Sequence, residues 1–276
     1  MILAQITDLH VRSPDIPSHF QFDPIQMLQN AVARLNALTP RPDAVIVTGD
    51  LVDCGRPDEY HLLAETLEPM EIPLFLVPGN HDNRDNLRAV LRSRYPYLPE
   101  TGFLNYVVED LPLRLIGLDT TILGNDAGLL CEERLDWLAA CLGEAPDRPT
   151  LLFMHHPPFL TRMQEMDALT CANGDKLRTL LADHPQVERI ICGHVHRPIQ
   201  TRWEHALVSV SPSTAHQLYL DFNTELTGYV LEPPGFQLHM WDAKDGFVSH
   251  TAPIDAFPGP FDFHPTARAA LRKDLA

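Results

Sequence analysis

The first two-thirds of the chain alternates short apolar runs with amphipathic segments. The apolar runs are continuous, which is typical of strands covered on both faces, and they predict strands at Leu3–Ile6, Ala44–Thr48, Leu74–Val77, Leu113–Leu118, Thr150–Met154 and Arg189–Cys192. The amphipathic segments predict helices at Pro24–Leu38 (with Asp23 as N-cap), Asp58–Leu67, Asn83–Leu91, Glu132–Leu142 and Gly174–Ala182. This alternation indicates right-handed βαβ units.

The pattern changes after His196, where β-rich runs follow one another without helices between them. These runs predict strands at Ala206–Val210, Gly228–Leu231, Gln237–Trp241 and Phe247–Thr251. We expect them to form an antiparallel region that completes a second sheet. The expected fold is therefore α/β, with two packed sheets flanked by helices.

Two segments fit neither pattern. Residues 157–173 are long for a connection and carry several apolar side chains, which favours an ordered cap or a subunit contact. Residues 252–276 are rich in Pro and Phe and end in a predicted helix, Thr266–Ala276. This tail is expected to be either an arm that packs on another subunit or a frayed end. We therefore expect a catalytic domain at 1–251, with 157–173 as its cap or dimerisation loop, and a tail at 252–276.

The composition of the chain limits the classes of molecule that we expect it to bind. The 276 residues are 45% hydrophobic and 21% charged, values that are ordinary for a globular protein with a large core. A net charge of −16, with no cluster of Lys and Arg, disfavours binding to long nucleic acids. Small anionic substrates remain compatible with this charge, because bound metals dominate the local field of a cleft.

The cellular compartment is predicted from the apolar stretches, the N-terminal residues and the spacing of the cysteines. No apolar stretch reaches the ~20 residues of a membrane span, and Met1–Ile6 has no basic segment before it, so we expect neither a membrane partner nor a secretory signal. Five scattered cysteines without Cys-x-x-Cys spacing favour reduced thiols and a cytoplasmic protein. The alternative is one bond, either Cys54–Cys171 or between subunits.

Five short polar motifs each follow a predicted strand, at the sheet edge where α/β proteins bind ligands. They are Asp8-Leu9-His10, Gly49-Asp50, Gly79-Asn80-His81-Asp82, His155-His156 and Gly193-His194-Val195-His196. Carboxylates, an amide and imidazoles brought together in this way can hold two cations. Mixed nitrogen and oxygen ligands suit Fe, Mn, Zn or Co better than Mg or Ca. A carboxylate shared by two metals would give the clamp used for phosphoryl displacement.

These motifs, in this order, resemble those of the calcineurin-like metallophosphoesterases from Asp8 to His196. Within that superfamily, the chain bears a closer resemblance to the class III cyclic-nucleotide phosphodiesterases and bacterial glycerophosphodiesterases. This closer similarity is carried by residues 49–57, 155–158 and 214–217. The resemblance implies a four-layer α-β-β-α sandwich of two mixed β-sheets flanked by helices.

The resemblance also implies a role for each motif residue. Two metal sites that share Asp50 would be formed by Asp8, His10, Asp50 and His196, and by Asp50, Asn80, His155 and His194. His81 would face the phosphate, stabilise its developing charge and protonate the leaving oxygen, while Asp82 would orient His81. The implied enzyme is a metal-dependent phosphodiester hydrolase, in which a metal-bound hydroxide attacks phosphorus in line.

Three further residues, one within a motif and two outside, are considered separately from the metal ligands. His156 follows His155 on a strand and should point to the other face, which favours a structural role. His216 lies beyond the last metal motif, and substrate contact and a structural role are equally compatible with it. Asp53 occupies a position that is often asparagine in close relatives, where a carboxylate would change metal affinity or reject a second phosphate charge. Asn80 and His81 are also expected to contact substrate.

The leading hypothesis is hydrolysis of a small diester, either a 3′,5′-cyclic nucleotide or a glycerophosphodiester such as glycerophosphoethanolamine. A nuclease is disfavoured by the acidic composition. The phosphomonoesterase alternative, a protein phosphatase, is disfavoured because this chain has no extended specificity region. A non-catalytic scaffold of the same fold is a further alternative, but such proteins tend to lose metal ligands or the phosphate-facing histidine. All of these residues are present here. We also expect a homo-oligomer.

Overall fold

A computed structural model of the protein describes residues 1–15, 21–222 and 228–261. The strands are β1 (Ile2–Ile6), β2 (Ala44–Thr48), β3 (Leu74–Val77), β4 (Tyr106–Val108), β5 (Arg114–Leu118), β6 (Gly128–Leu129), β7 (Thr150–Met154), β8 (Cys171–Ala172), β9 (Val187–Cys192), β10 (Ile199–Trp203), β11 (Ala206–Val210), β12 (Gln217–Leu218), β13 (Tyr229–Val230), β14 (Gly235–Asp242) and β15 (Gly246–Pro253). The helices are α1 (Pro24–Asn36), α2 (Pro57–Thr66), α3 (Arg84–Leu91), α4 (Glu132–Glu144), α5 (Gln164–Ala168) and α6 (Gly174–Ala182).

Two mixed sheets form the centre of the described structure. The first has the order β15-β14-β1-β2-β3, with β1, β2 and β3 parallel and β14 and β15 antiparallel. The second has the order β10-β11-β9-β7-β5-β4, with four parallel strands between two antiparallel edge strands. The sheets pack face to face, which confirms the predicted α/β class with two mixed sheets.

Helices cover the outer face of each sheet. Leucines of α1, α2 and α3 belong to one core cluster with β1, β2 and β3, and leucines of α4 and α6 belong to a second cluster with β7 and β9. The layers therefore follow the predicted order α-β-β-α. Asp23 caps α1, because its carboxylate accepts hydrogen bonds from the amides of Ile25 at 2.9 Å and Gln26 at 3.2 Å.

One buried side chain ties the two sheets together beside the motif edge. Gln5 on β1 donates through Nε2 to the hydroxyl of Thr48 on β2 and to the carbonyl of Cys192 on β9, both at 2.9 Å. A buried amide costs free energy unless it is hydrogen-bonded, and here the bonds cross between layers. They hold the ends of β1, β2 and β9 in a fixed relation, just before the polar motifs begin.

The prediction for the last third of the chain is partly wrong. The strands exist, but they do not form one antiparallel region that completes a second sheet. β11 joins the second sheet parallel to β9, whereas β14 lies antiparallel to β1 and extends the first sheet together with β15. Without β14, β1 would present an unpaired edge, and covering such an edge prevents unwanted strand pairing.

Residues 157–173 contain secondary structure rather than an irregular loop. They include α5 and β8, and β8 pairs in parallel with β6. Met163 is buried in the cluster that covers the second sheet. The segment is thus ordered, as expected, while its action as a cap or dimer contact stays a prediction. The predicted helix Thr266–Ala276 lies outside the described residues. None of the described helices has the length and apolar character of a membrane span.

Candidate metal centre

The five polar motifs meet at one edge, between the two sheets. They follow β1, β2, β3, β7 and β9, whose carboxyl ends point the same way. Backbone hydrogen bonds connect the motifs directly. The amide of Asp8 donates to the carbonyl of Gly49 at 3.0 Å, and the amide of Gly193 donates to the carbonyl of His155 at 2.9 Å. The convergence expected from the strand ends is therefore present.

The motif residues adopt an unusual backbone conformation. Five of them lie in the left-handed region, which side chains other than glycine rarely adopt; they are Asp8 (φ 53°), His10 (φ 46°), Asp50 (φ 48°), His194 (φ 72°) and His196 (φ 50°). Such conformations cost free energy and persist where the surrounding structure enforces them, which is common at functional sites. The turns redirect each side chain from its strand toward the shared edge.

Two glycines permit the close approach of these loops. A Cβ at Gly79 would lie 2.1 Å from an Asp50 carboxylate oxygen, and a Cβ at Gly193 would lie 2.1 Å from the Thr7 hydroxyl. Any side chain at either position would push the motifs apart. The glycines that precede Asn80 and His194 are therefore a geometric requirement of the site.

A first donor pocket is formed by Asp8, His10, Asp50 and His196, whose ligand atoms lie within 4.8 Å of one another. His196 Nε2 is 3.2 Å from Asp8 Oδ1 and 3.3 Å from His10 Nε2. His10 Nε2 is 3.7 Å from Asp50 Oδ2. Imidazole nitrogens and carboxylate oxygens that face a common point have the donor set and the geometry of a transition-metal site.

A second donor pocket lies on the other side of Asp50. His155 Nε2 is 3.0 Å from Asn80 Oδ1 and 3.4 Å from Asp50 Oδ1. His194 Nε2 is buried and has no hydrogen-bond partner among the described residues. Buried polar atoms are almost always satisfied, so an imidazole nitrogen without a hydrogen-bond partner beside these groups fits a cation ligand. Asp50 thus offers one oxygen to each pocket.

The other ring nitrogen of three pocket histidines is held in place. His10 Nδ1 lies 3.3 Å from Asp53 Oδ1, while His155 Nδ1 donates to Thr48 O at 2.7 Å and His196 Nδ1 donates to His216 O at 2.9 Å. Each contact fixes the ring so that Nε2 faces its pocket. Partners of this kind are the usual second layer around metal-binding histidines.

Burial and neighbouring charges set the protonation of the pocket groups. Burial alone would raise the pKa of Asp8, but the attraction of His196 outweighs it and lowers that pKa to about 2. Burial lowers the pKa of His194 to about 3. Burial would also lower the pKa of His155, but the charge of Asp50 raises it to about 9. A cation in the second pocket would have to displace the proton of His155, because metals bind the deprotonated imidazole.

His81 lies at the edge of the pockets and its side chain is partly exposed. Its Nδ1 donates to Asp53 O at 2.8 Å, which leaves Nε2 for a substrate, and its backbone amide donates to Asp50 Oδ1 at 3.0 Å. Burial would lower the pKa of this imidazole, but the charge of Asp50 outweighs burial and raises it. The geometry therefore suits the expected phosphate-facing role.

The Asp82 carboxylate, which was expected to orient His81, has other hydrogen-bond partners among the described residues. The buried Asp82 carboxylate accepts hydrogen bonds from the amides of Gly79 at 2.8 Å and Leu51 at 3.1 Å, and from the Tyr60 hydroxyl at 2.9 Å. Asp82 thus holds the backbone of two motif loops together. The partner of the His81 ring is the backbone of Asp53.

Asp53 also contacts the first donor pocket through its side chain. Its Oδ1 lies 3.3 Å from His10 Nδ1, and its Oδ2 accepts from Arg12 Nη1 at 2.8 Å. The charges of His10, His81 and Arg12 lower the pKa of this carboxyl, although burial opposes them. Asp53 therefore remains ionised and is directed at a pocket histidine.

His156 and His216 lie closer to the pockets than their sequence positions indicate. The prediction that His156 points to the opposite face is wrong, because β7 ends at Met154 and the ring lies 4.7 Å from that of His155 between centroids. Both ring nitrogens of His156 have protein partners, Thr120 Oγ1 at 2.7 Å and Asp126 O at 3.1 Å, which agrees with a structural role. The His216 ring is 4.6 Å from that of His196.

A cavity of about 220 Å³ opens over the two pockets. It is lined by His10, Asp50, Asp53, Asn80, His81, Asp126, Met166, Leu169, His194, His196, His216 and Leu218. Asp126 and Leu218 did not follow from the sequence. Asp126 lies in a turn with no recognisable motif, and its backbone contact with His156 connects that turn to the site.

The family of the chain is shown by residues 1–198, which match the family model for calcineurin-like phosphoesterases. The chain belongs to this family. Two relatives extend the match over nearly its whole length. A probable glycerophosphodiester phosphodiesterase of Arcobacter nitrofigilis is 40% identical over 266 residues, 96% of this chain and 97% of the relative. A glycerophosphodiester phosphodiesterase of Enterobacter lignolyticus is 35% identical over 262 residues, 95% and 94% of the two chains.

Other members of the calcineurin-like phosphoesterase family match less of the chain. A 3′,5′-cyclic adenosine monophosphate phosphodiesterase of Vibrio vulnificus is 31% identical over 215 residues, 78% of this chain and 77% of the relative. Among solved structures, a dimetal phosphatase from Danio rerio has a TM-score of 0.64 at 16% identity and covers 92% of this chain and 99% of its own. That structure supports the calcineurin-like fold, in agreement with the resemblance seen in the motifs.

Proposed function

We propose that this calcineurin-like phosphoesterase is a binuclear metal-dependent phosphodiesterase that hydrolyses small phosphodiesters. The observation that supports this function best is the Asp50 carboxylate, which offers one oxygen to each of two donor pockets beneath a single cavity. The proposed ligands are Asp8, His10, Asp50 and His196 in the first pocket, and Asp50, Asn80, His155 and His194 in the second. Their mixed donors favour Fe, Mn, Zn or Co.

Two bound cations would supply Lewis acidity, by lowering the pKa of water and neutralising the charge on phosphate oxygens. The protein provides the other parts of the reaction. His81 is oriented by the carbonyl of Asp53, so its Nε2–H can donate a hydrogen bond to a phosphoryl oxygen. The same atom can pass its proton to the departing alkoxide. Asn80 and His216 border the cavity and are proposed to contact the substrate.

Glycerophosphodiesters are the substrates that we propose first. The two relatives with the higher identities over almost the full length of the chain are both glycerophosphodiester phosphodiesterases by name. Cyclic nucleotides are the second candidate, supported by the relative from Vibrio vulnificus. The charge of −16 argues against a nuclease.

The test combines metal reconstitution with a small panel of substrates. Protein freed of metal by chelation is reloaded with defined amounts of Mn, Zn, Co or Fe, and its rates are compared on glycerophosphoethanolamine, cyclic AMP and a phosphomonoester. We expect activity to require about two metal ions per chain, as in other two-metal sites, and to be highest on glycerophosphoethanolamine. Full activity after complete chelation would contradict the proposal.

Assembly and location are proposed from the cavity lining, the exposed apolar side chains and the cysteines. Residues 157–173 are proposed to cap the cavity, because Met166 and Leu169 line it. Leu123 and Leu160 are exposed apolar side chains that a second subunit would cover, so we propose a homo-oligomer. The five unpaired cysteines agree with a cytoplasmic protein. Light scattering on the purified protein tests the oligomeric state.

A further inference from the structure

Asp126 carries an unused charge on the wall of the cavity. It lines the same cavity as His81, Asn80 and His216, and its side chain is exposed. Among the described residues, no hydrogen-bond donor or cation contacts its carboxylate. The other carboxylates of this cavity, Asp50 and Asp53, are both engaged by neighbouring side chains. Asp126 is thus available to a molecule that enters.

The position of Asp126 is fixed by its backbone. Its carbonyl accepts a hydrogen bond from His156 Nε2 at 3.1 Å, and His156 Nδ1 in turn accepts from the Thr120 hydroxyl at 2.7 Å. The Asn125 side chain accepts from the amide of Ala127 at 2.9 Å, which closes the turn around Asp126. The backbone is therefore anchored through the residue that follows the second-pocket ligand His155, while the carboxylate stays free.

The residues that precede this turn are also held by hydrogen bonds. Arg84 at the start of α3 donates through Nε to the buried carboxylate of Asp119 at 2.6 Å, and Asp119 also accepts from the hydroxyl of Thr121 at 2.7 Å. At the end of the turn, a Cβ at Gly128 would lie 2.5 Å from the His156 ring. The turn is thus held at both ends, which is what a specificity residue on a loop requires.

The rest of the outer wall is apolar. Met166, Leu169 and Leu218 line the cavity together with Asp126. Thioether and leucine side chains offer contact to methylene groups, and a free carboxylate beside them attracts a cation and repels a second negative charge. A short alkyl group that ends in an ammonium matches this combination. A phosphomonoester dianion does not, because a carboxylate on the cavity wall repels its extra negative charge.

We propose that Asp126 is a specificity-determining residue that binds the ammonium group of an aminoalcohol phosphodiester, with Met166, Leu169 and Leu218 contacting its carbon chain. This inference rests on the proposed phosphodiesterase function and names the substrate class of the same site: diesters in which one alcohol is an aminoalcohol of the ethanolamine or choline type. His156 acts as a positioning residue that holds the Asp126 turn against the pocket loops.

The test compares a cationic diester with a neutral one of nearly the same shape. kcat/KM is measured for glycerophosphoethanolamine and glycerophosphopropanol at saturating metal, and their ratio is the readout. Asp126→Asn keeps the size of the side chain and removes the charge, and Asp126→Lys reverses it. The matched control is Asp147→Asn, an exposed aspartate before the first residue of β7, at the opposite end of that strand from His155.

We expect Asp126→Asn to lower the ratio about two- to fivefold, the range for a charge pair near the protein surface. Asp126→Lys should lower it further and favour the neutral diester. Asp147→Asn should leave the ratio unchanged, and all three variants should keep the metal content of the unmodified protein. In the unmodified protein, raising the salt concentration should reduce the ratio, because screening weakens an exposed charge pair.

The outcomes separate the two levels of the proposal. An unchanged ratio in Asp126→Asn, with both diesters still hydrolysed, overturns the role of Asp126 and leaves the phosphodiesterase function intact. Failure of the metal-loaded, unmodified protein to hydrolyse either diester contradicts the proposed function, and the inference with it. An equal fall in both rates, with the ratio unchanged, would mean that Asp126 acts on the fold rather than on specificity.

Discussion

The floor and the outer wall of the cavity are built in different ways. The floor consists of the seven proposed metal ligands, which lie at the ends of strands from both sheets; six of them are buried. The outer wall consists of Asp126, Met166, Leu169 and Leu218, which lie outside the central sheets and are exposed or half-buried. This difference indicates that rigid strands determine the reaction, while the surrounding loops determine the substrate.

The floor and the outer wall also differ in the contacts that hold them in place. The floor is connected by backbone bonds between motifs, by Gln5 across the sheets and by Asp82 between two loops. The part of the outer wall around Asp126 depends mainly on His156 and on the Arg84–Asp119 pair. Substitutions in the floor should therefore change metal binding and rate, and those in the wall should change substrate preference.

The largest effect is expected from the carboxylate shared by both pockets. Asp50→Asn removes a negative charge that faces His10, His81 and His155. Metal affinity should fall by more than the roughly 10- to 100-fold loss typical of outer partners, and activity should be lost with it. Metal analysis after desalting and initial rates measure the two quantities, with Asp147→Asn as control. Retention of two metals and normal rates would exclude Asp50 as the shared ligand.

His81→Asn should separate rate from metal binding. The His81 ring donates to the backbone of Asp53 and lies edge-on to the His10 ring, 4.7 Å away between centroids. It is not one of the proposed ligands, so the variant should keep its metal content. Turnover should fall by about 10²- to 10³-fold, as expected for the loss of a charge-stabilising donor. His61→Asn, an exposed histidine on α2, is the matched control. Loss of metal together with rate would instead place His81 in the floor.

Much of the floor was predictable from the chain. The strands Ala44–Thr48 and Thr150–Met154 are found with their predicted bounds, because continuous apolar runs between turn residues define buried strands. The motifs meet because parallel strands end at one edge. By contrast, β14 pairs with β1 across more than 230 residues, in the register Ala4↔Leu238. Backbone pairing at that separation leaves no signal in the apolar pattern.

The features of the site that the sequence did not predict depend on where side chains point after a strand has ended. Alternation places His156 opposite His155, but alternation applies only within a strand, and both residues follow β7. Asp82 lies in a turn whose amides point inward, so its carboxylate binds the backbone instead of the neighbouring ring. Asp126 belongs to the cavity only through tertiary contacts. The wall was therefore the least predictable part of the site.

Asp53→Asn tests a residue that lies between the floor and the wall, and its expected effect is intermediate in size. The amide keeps the shape of the side chain but removes the charge directed at His10 and Arg12. Metal affinity should fall about 10- to 100-fold, with turnover at saturating metal nearly unchanged. Titration with metal and rates at several metal concentrations measure both quantities. Unchanged affinity with new phosphomonoester activity would support the other interpretation, rejection of a second phosphate charge.

The smallest effect is expected from the apolar part of the wall. Leu218→Ala shortens a half-buried apolar side chain that lines the cavity and is not itself a proposed ligand. Loss of this contact should raise KM about two- to fivefold, which corresponds to roughly 0.4–1 kcal/mol of apolar contact. Turnover and metal content should stay unchanged, as in the control Leu231→Ala, which alters an exposed leucine next to β13. A large fall in turnover would show that wall and floor act as one unit, because a side chain that only shapes the substrate site cannot alter the metals beneath it.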